Sequence, residues 1–423
     1  MGTDDRKVAG VNLRLAWAGP WNERSSIGLF GTDIVRELVS QGHRVDVLRT
    51  ELGADLLLPP RPAPGPIYTA TARPIAELVR EFDGIIVNLG DHYGFHGGAL
   101  SILRDAAPLV ILHDAWMGNF VHNWQSAVGR EHSLHVASFL DGLGGDESGI
   151  APLCGLASGV VVHSAHYRGV VEAACPGPVM TIPLSHTSEA LSPPRPIGEH
   201  LIVTTIGHVN KNRRADEVIR ALGSSERLRD RVRYMLVGPV ESDQKAHLLA
   251  LACQVGAPAP HFTGWVPDDV LRLLMAGTDV FCCLRYPALE GASGSLIFSL
   301  LSGRPTLVSN HASYAEIPDG LVMKCTPGQE AADVACHLET VLDAPDAAQS
   351  MGRQAREFAL ENFAPATYAT RLLQALDAAT RAEPAIRVAR MIGRQLAQLG
   401  MKADDPSVER MDKLLDSLLC GTG

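Results

Sequence analysis

Residues 281–320 read FCCLRYPALEGASGSLIFSLLSGRPTLVSNHASYAEIPDG. The apolar run Thr278–Leu284 that leads into this stretch has the composition of a buried strand. Pro287 opens a loop containing Gly291 and Gly294, and an apolar helix is predicted over Ser295–Leu301, closed by Gly303 and Pro305. Thr306–Ser309 is the next strand. A glycine-bearing loop thus runs from the carboxyl end of one strand into a helix N-terminus. Such a junction presents backbone N–H groups and the positive end of the helix dipole to an anion. Glu290 stands at the loop mouth, where a carboxylate can accept from a hydroxylated group.

The pattern repeats on either side. Upstream, Leu201–Ile206 reads as a strand, followed by Gly207-His-Val-Asn-Lys-Asn-Arg-Arg214 and a helix over Ala215–Leu222. Strands at Tyr234–Val237 and from His261, with helices over His247–Val255 and Val270–Met275, complete an alternation that implies a parallel sheet covered on both faces. The Gly207 loop gathers Lys211, Arg213 and Arg214 at a strand's carboxyl end, as a diphosphate needs. A solvated basic loop is the competing account. Helical segments are predicted over Pro327–Leu342 and Met351–Ala379.

The first half opens as βαβ: strand Val11–Ala18, loop Gly19–Gly28, helix Leu29–Gln41, strand His43–Leu48. Its polar loop lies where doubly wound sheets bind ligands, although it is not G-x-G-x-x-G. Leu52–Pro66 is proline-rich and reads as an exposed connection. Strands follow at Gly84–Leu89, Leu109–Leu112, Gly159–His163 and Val179–Pro183. The strand ending at Leu112 delivers His113-Asp114-Ala115-Trp116, a ligand-type position. Tyr93, Trp116, Asn119 and Trp124, with His92, His96, His122, His132 and His135, either line an acceptor pocket or are ordinary loop residues. Leu191–Pro196, with three prolines in six residues, reads as the interdomain linker.

Composition excludes several classes. A net charge of −10 leaves no basic footprint for nucleic acid. No apolar run reaches the roughly 20 residues of a membrane span, and MGTDDRKVAG lacks a signal-peptide core. The eight cysteines are scattered, without C-x-x-C, so reduced thiols in a cytoplasmic protein are expected.

The central stretch resembles the nucleotide-sugar site of GT-B glycosyltransferases, specifically the retaining family 4, whose pattern is E-G-F-G-x-x-x-x-E-A-M-A-x-G-x-P. Glu290, Gly291, Gly303 and Pro305 keep that frame without a gap, with Gly294 one position past its second glycine; the second glutamate falls on Phe298, which cannot accept ribose hydroxyls. The Gly207 loop is similar to the family's G-R-x-x-x-x-K, with His208 in place of Arg and Arg213 in place of Lys. Ser26-Ile27-Gly28 is similar to the S-G-I-A/G turn after the first strand, and Gly264-Trp265-Val266 to the turn near the base. A plain βα turn and a core tryptophan are the respective alternatives.

This resemblance covers roughly residues 11–380. It implies an α/β GT-B fold of two Rossmann-like, doubly wound domains facing a cleft, with a C-terminal helical extension. The implied domains are 1–190 for the acceptor, 197–355 for the nucleotide sugar, 356–382 for crossover helices and 383–423 for a helical appendage. The appendage is expected as a hairpin, Ile386–Leu399 and Val408–Leu419, that either packs on the body or forms a homodimer contact. The implied activity is transfer of a sugar from a nucleotide-diphosphate sugar, UDP or GDP foremost, to a hydroxylated small-molecule or glycan acceptor, with retention and without metal or cofactor. Arg213, Glu290 and His113 are the implied catalytic residues. The donor-binding set is Gly28, Gly207, His208, Lys211, Trp265, Val266, Gly291, Ala292, Ser293 and Gly294, and Ser26, Asp114 and Trp116 are expected toward the acceptor. A non-catalytic GT-B-like subunit that binds a sugar or partner is the second expectation, and a sugar-nucleotide epimerase the third.

Overall fold

The computed structural model describes residues 12–72, 74–127, 148–187, 195–401, 405, 406 and 410. Two compact units emerge. The first comprises residues 1–162, 167–182 and 369–423, and the second residues 163–166 and 183–368.

The first unit is built on seven strands: β1 Arg14–Gly19, β2 Arg44–Arg49, β3 Ile67–Thr69, β4 Gly84–Leu89, β5 Leu109–Leu112, β6 Gly159–Val162 and β7 Val179–Thr181. They pair in parallel in the order β3-β2-β1-β4-β5-β6-β7. Helices on both faces explain why central strands are apolar throughout rather than alternating: Leu109–Leu112 and Gly159–Val162 are buried at every position. Strand order reverses between β1 and β4, so their carboxyl ends diverge and leave a crevice for a ligand.

Helix α1, Ser26–Ser40, covers this sheet with Phe30, Ile34, Val35 and Leu38. It begins three residues earlier than the sequence predicts, because Ser25 caps it by accepting from the Gly28 N–H at 3.0 Å. Gly31 lets α1 approach the sheet, since a Cβ there would stand 2.8 Å from Trp17 Nε1.

The second unit carries six strands: β8 Leu201–Ile206, β9 Val232–Val237, β10 His261–Gly264, β11 Val280–Cys283, β12 Thr306–Ser309 and β13 Met323–Cys325. Their order is β10-β9-β8-β11-β12-β13, again parallel, with the reversal between β8 and β11. Two of the four edge strands, β3 and β13, carry no strand signal in the sequence, being three residues each and only partly apolar. β3 sits just after the proline-rich stretch that was expected to be only an exposed connection.

The C-terminal region differs from expectation. Helix α2, Pro365–Gln398, runs unbroken through Pro384 for 34 residues. The predicted appendage segment from Ile386 is therefore a continuation of this helix and not a separate hairpin arm. Ile386 is buried, and Arg390 donates to the Gly155 carbonyl at 3.0 Å, so this part of α2 packs on the first unit. The predicted second arm, apart from Arg410, lies outside the described residues, as do His132, His135 and residues 191–194 of the linker. Among the described residues no helix is long and apolar enough to cross a membrane, and the cysteines form no disulfide.

Candidate functional site

In the second unit the site grows from two loops at the strand-order reversal. After β8 the chain turns at Gly207, with φ of +107°, and a side chain there would collide with the Arg213 guanidinium. Arg213 thus folds back over its own loop. Its Nε donates to the His208 carbonyl at 3.0 Å, and Nη1 reaches Ser295 Oγ at 3.4 Å. His208 contributes its backbone to this arrangement. Lys211 does not join it: this exposed side chain lines a separate cavity of about 370 Å³ with Arg214, Asp216, Asp243, Gln244 and His247.

After β11 comes the Glu290 loop. Ser293 caps helix α3, Gly294–Leu301, accepting from the Leu296 N–H at 3.3 Å, with its Oγ 3.0 Å from Ser295 Oγ. Nothing lies within 4 Å of where a Gly294 Cβ would sit, so the start of the helix is open. First-turn N–H groups lack intrahelical partners and suit an anion. Ser164 pins the preceding turn by donating to the Gly291 carbonyl at 2.5 Å, and Ala292 is half-buried between them.

Glu290 is already engaged. Its Oε1 accepts from Arg285 Nε at 2.7 Å and from the Tyr314 hydroxyl at 2.7 Å. Neither partner is among the residues expected from the sequence. Arg285 follows β11 almost directly and its position at a strand's carboxyl end was the available signal; Tyr314 lies 24 residues beyond Glu290 and had none. Burial, and then the Glu290 charge, push the Tyr314 phenol up, so it remains a donor. Burial and the neighbouring Arg285 charge both pull the Arg213 guanidinium below its ordinary value. Arginine stays charged nonetheless.

Phe298 lies on α3, its ring stacked on His186 at 5.2 Å. Trp265 follows Gly264, which has φ of +68°, and is 74% exposed; Val266 is half-buried. The core role open to Trp265 is therefore not the one it has.

In the first unit the expected residues gather at the carboxyl ends of β1, β4 and β5. His113 is buried, edge-on to Phe30 at 5.1 Å, with Nε2 3.0 Å from Asn88 Oδ1. The Asn88 amide nitrogen is committed to the Ala18 carbonyl at 3.2 Å, which leaves Oδ1 for His113 and assigns the ring proton to Nε2. Asp114 Oδ2 accepts from the Asp91 N–H at 2.8 Å. Asp91 in turn accepts from Asn119 Nδ2 and the Phe120 N–H, while burial pushes its carboxyl up.

Ser26 is exposed in the first turn of α1, whereas the Gly28 N–H is taken by its cap. Glu51 holds the loop before them, its Oε1 accepting from the Trp21 N–H at 2.8 Å and Asn22 Nδ2 at 3.0 Å. Trp116 is half-buried over Gly118, and Tyr93 and Trp124 pack against the sheet's core. Arg168 pairs with Glu172 at 2.7 Å, both side chains nearly half exposed. Among the described residues no cluster of three His, Cys, Asp or Glu side chains is arranged for a metal ion.

Residues 189–358, most of the second unit, match the family described as glycosyl transferases group 1. No curated protein matches the chain. Solved structures share the fold. Anabaena HepE in complex with UDP and glucose is 16% identical, with a TM-score of 0.61 over 86% of this chain and 100% of that one. The sucrose-phosphate synthase of Thermosynechococcus elongatus is 15% identical, with a TM-score of 0.62 over 86% of this chain and 98% of that one. WaaG, a glycosyltransferase involved in lipopolysaccharide biosynthesis, is 15% identical, with a TM-score of 0.56 over 84% and 98%. The chain therefore has the GT-B fold, with the glycosyl transferases group 1 match confined to the part that carries Arg213 and Glu290.

Proposed function

We propose that this protein transfers a sugar from a nucleoside-diphosphate sugar, UDP or GDP foremost, to a hydroxylated acceptor, with retention of configuration and without a metal ion. The observation that carries this reading is the meeting of the two loops: Arg213 reaches Ser295 Oγ at 3.4 Å, at the open N-terminus of α3. A cation and first-turn N–H groups converge where a diphosphate can bind, and Glu290 stands in the same loop. In this reading Arg213 and the α3 N-terminus stabilise the departing phosphate. Glu290 accepts from a sugar hydroxyl, and His113 keeps the sugar-contacting role implied by the family resemblance. The leaving phosphate itself takes the acceptor's proton, so no protein base is assigned. The exposed Trp265 and the Val266 backbone serve the base.

The test is a thermal-shift series with UDP, GDP, ADP, TDP and CDP on wild type, Arg213→Ala and Glu290→Ala, followed by donor hydrolysis and transfer assays. Ligand that binds only the folded state raises its stability. A shift with one diphosphate, lost in Arg213→Ala, supports the donor site and names the base. No shift with any diphosphate at millimolar concentration overturns it. The Phe298–His186 stack favours a second reading, a non-catalytic subunit that binds a sugar or a partner protein. Binding of a diphosphate without hydrolysis or transfer of any of its sugars selects that reading.

A further inference from the structure

The groups around Glu290 divide its two oxygens unequally. Oε1 takes both Arg285 Nε and the Tyr314 hydroxyl, each at 2.7 Å. Oε2 has no hydrogen-bond partner among the described residues, and the side chain is about one-fifth exposed. Arg285 is divided in the same way. Its N–H is fixed on Ser309 Oγ at 2.8 Å and its Nε on Glu290, yet neither terminal nitrogen has a partner among the described residues. Arg285 is only 8% exposed, and its terminal nitrogens are nevertheless not sealed from solvent. The terminal nitrogens are thus donors that no protein group takes up and that a ligand arriving from solvent can engage.

A second cation stands beside it. Arg213 Nη1 reaches Ser295 Oγ at 3.4 Å, five residues along the loop from the Glu290 carboxylate that Arg285 Nε holds at 2.7 Å. Like charges held together by the fold favour a ligand carrying more than one negative charge. Glu290 supplies a single negative charge against the two cations, so one positive charge remains in excess.

The geometry points to Arg285 as a second phosphate-binding cation, acting with Arg213 on a diphosphate while its Nε fixes Glu290 so that Oε2 alone faces a hydroxyl. This deepens the glycosyl-transfer reading and rests on it. One residue then ties the carboxylate that holds a hydroxyl to the cation that holds a phosphate. Tyr314 is a positioning residue for Glu290 and does not touch the anion.

The experiment uses the full chain and inorganic pyrophosphate as the probe, which carries the anion without base or sugar. Affinity is measured by titration calorimetry, with thermal unfolding of each unliganded variant as the folding control. Arg285→Met is expected to weaken pyrophosphate binding by about ten- to a hundredfold, and Arg285→Lys by less. Glu290→Gln removes the competing charge and is expected to raise the affinity a fewfold, and Tyr314→Phe to change it less than twofold. If Arg285 merely tethered Glu290, Glu290→Gln and Arg285→Met would weaken pyrophosphate alike, and that result overturns the proposal. Wild-type protein that binds a nucleoside diphosphate but not pyrophosphate overturns it while leaving glycosyl transfer standing. Wild type that binds neither overturns both. Should Arg285→Met not fold, Arg285→Lys combined with Glu290→Gln decides: affinity no lower than that of Glu290→Gln alone counts against a direct role for the guanidinium fork.

Discussion

The ring of Phe298 lies against the imidazole of His186, centroids 5.2 Å apart and planes 25° from parallel. Phe298 stands one turn into α3, on the same helix whose N-terminus faces Arg213. The pair places a flat apolar surface where the family pattern has a ribose-binding carboxylate. In Phe298→Glu the stack is lost, at about 1 kcal/mol, and a charged acceptor is gained, which contributes about 1.5–3 kcal/mol per hydrogen bond. The expected outcome is a several-fold gain in nucleoside-diphosphate affinity by calorimetry, with no gain for pyrophosphate, which has no ribose. An equal gain for both probes, or none for either, would remove the ribose from this position.

Arg214 and Arg213 are adjacent and do different things. Arg214 adopts φ of +53°, and its Nε lies 3.1 Å from Glu330 Oε1, a carboxylate that is 1% exposed. Glu330 also accepts from the Gly328 N–H at 2.6 Å, so it is committed on both oxygens. Arg214→Ala leaves that buried charge uncompensated and is expected to cost about 3 kcal/mol in denaturant unfolding. Arg214→Ala with Glu330→Gln is expected to recover part of the loss. Arg213→Ala, by contrast, is expected to lower turnover about a hundredfold with little change in stability. The reverse pattern would exchange their roles.

Asn88 serves two neighbours through its side chain: it donates to the Ala18 carbonyl and accepts at 3.0 Å from His113 Nε2. It is fully buried, so truncation removes both of these bonds from the interior. Asn88→Ala is expected to cost about 2 kcal/mol and to remove the bond that holds the His113 proton on Nε2. Nitrogen NMR shifts of the His113 imidazole in wild type and variant would report the tautomer; a ring protonated at Nδ1 in wild type would contradict the assignment.

His96 carries a pH signature. Burial pulls its imidazole down from 6.5 to about 4, only partly offset by the bond between Nδ1 and the Asn88 carbonyl, 2.9 Å long. As pH falls, the unfolded chain takes up this proton near 6.5 while the folded one resists until about 4. Stability is therefore expected to fall between those pH values, by about 3 kcal/mol from this residue, and to flatten below. Asp91, raised by burial, works in the opposite direction. The difference between wild type and His96→Gln isolates the histidine. Parallel stability curves for the two proteins between pH 7 and 4 would show that His96 does not titrate this way.

Much of the fold was legible because parallel strands buried on both faces are short continuous apolar runs. Gly84–Leu89, Leu109–Leu112, Leu201–Ile206 and Thr306–Ser309 were read with their observed bounds. Of the edge strands, β3 and β13 carried no such signal. Pro384 did not end α2, although proline costs a helix interior about 3 kcal/mol, and packing of Ile386 and Arg390 on the first unit offsets that penalty.

By itself, the sequence determined the alternation of strands and helices, and with it the two places where Gly207 and Glu290 leave strands β8 and β11. Those features depend on local pattern: apolar runs, capping residues and glycine turns within a few positions of each other. Only the tertiary structure decided what surrounds Glu290 and Phe298. Tyr314 reaches Glu290 across 24 residues, Ser164 reaches Gly291 across 127, and His186 finds Phe298 from before the second sheet begins. These partners meet because the parallel sheet brings the carboxyl ends of its strands to one edge, and residue spacing along the chain carries no record of that meeting.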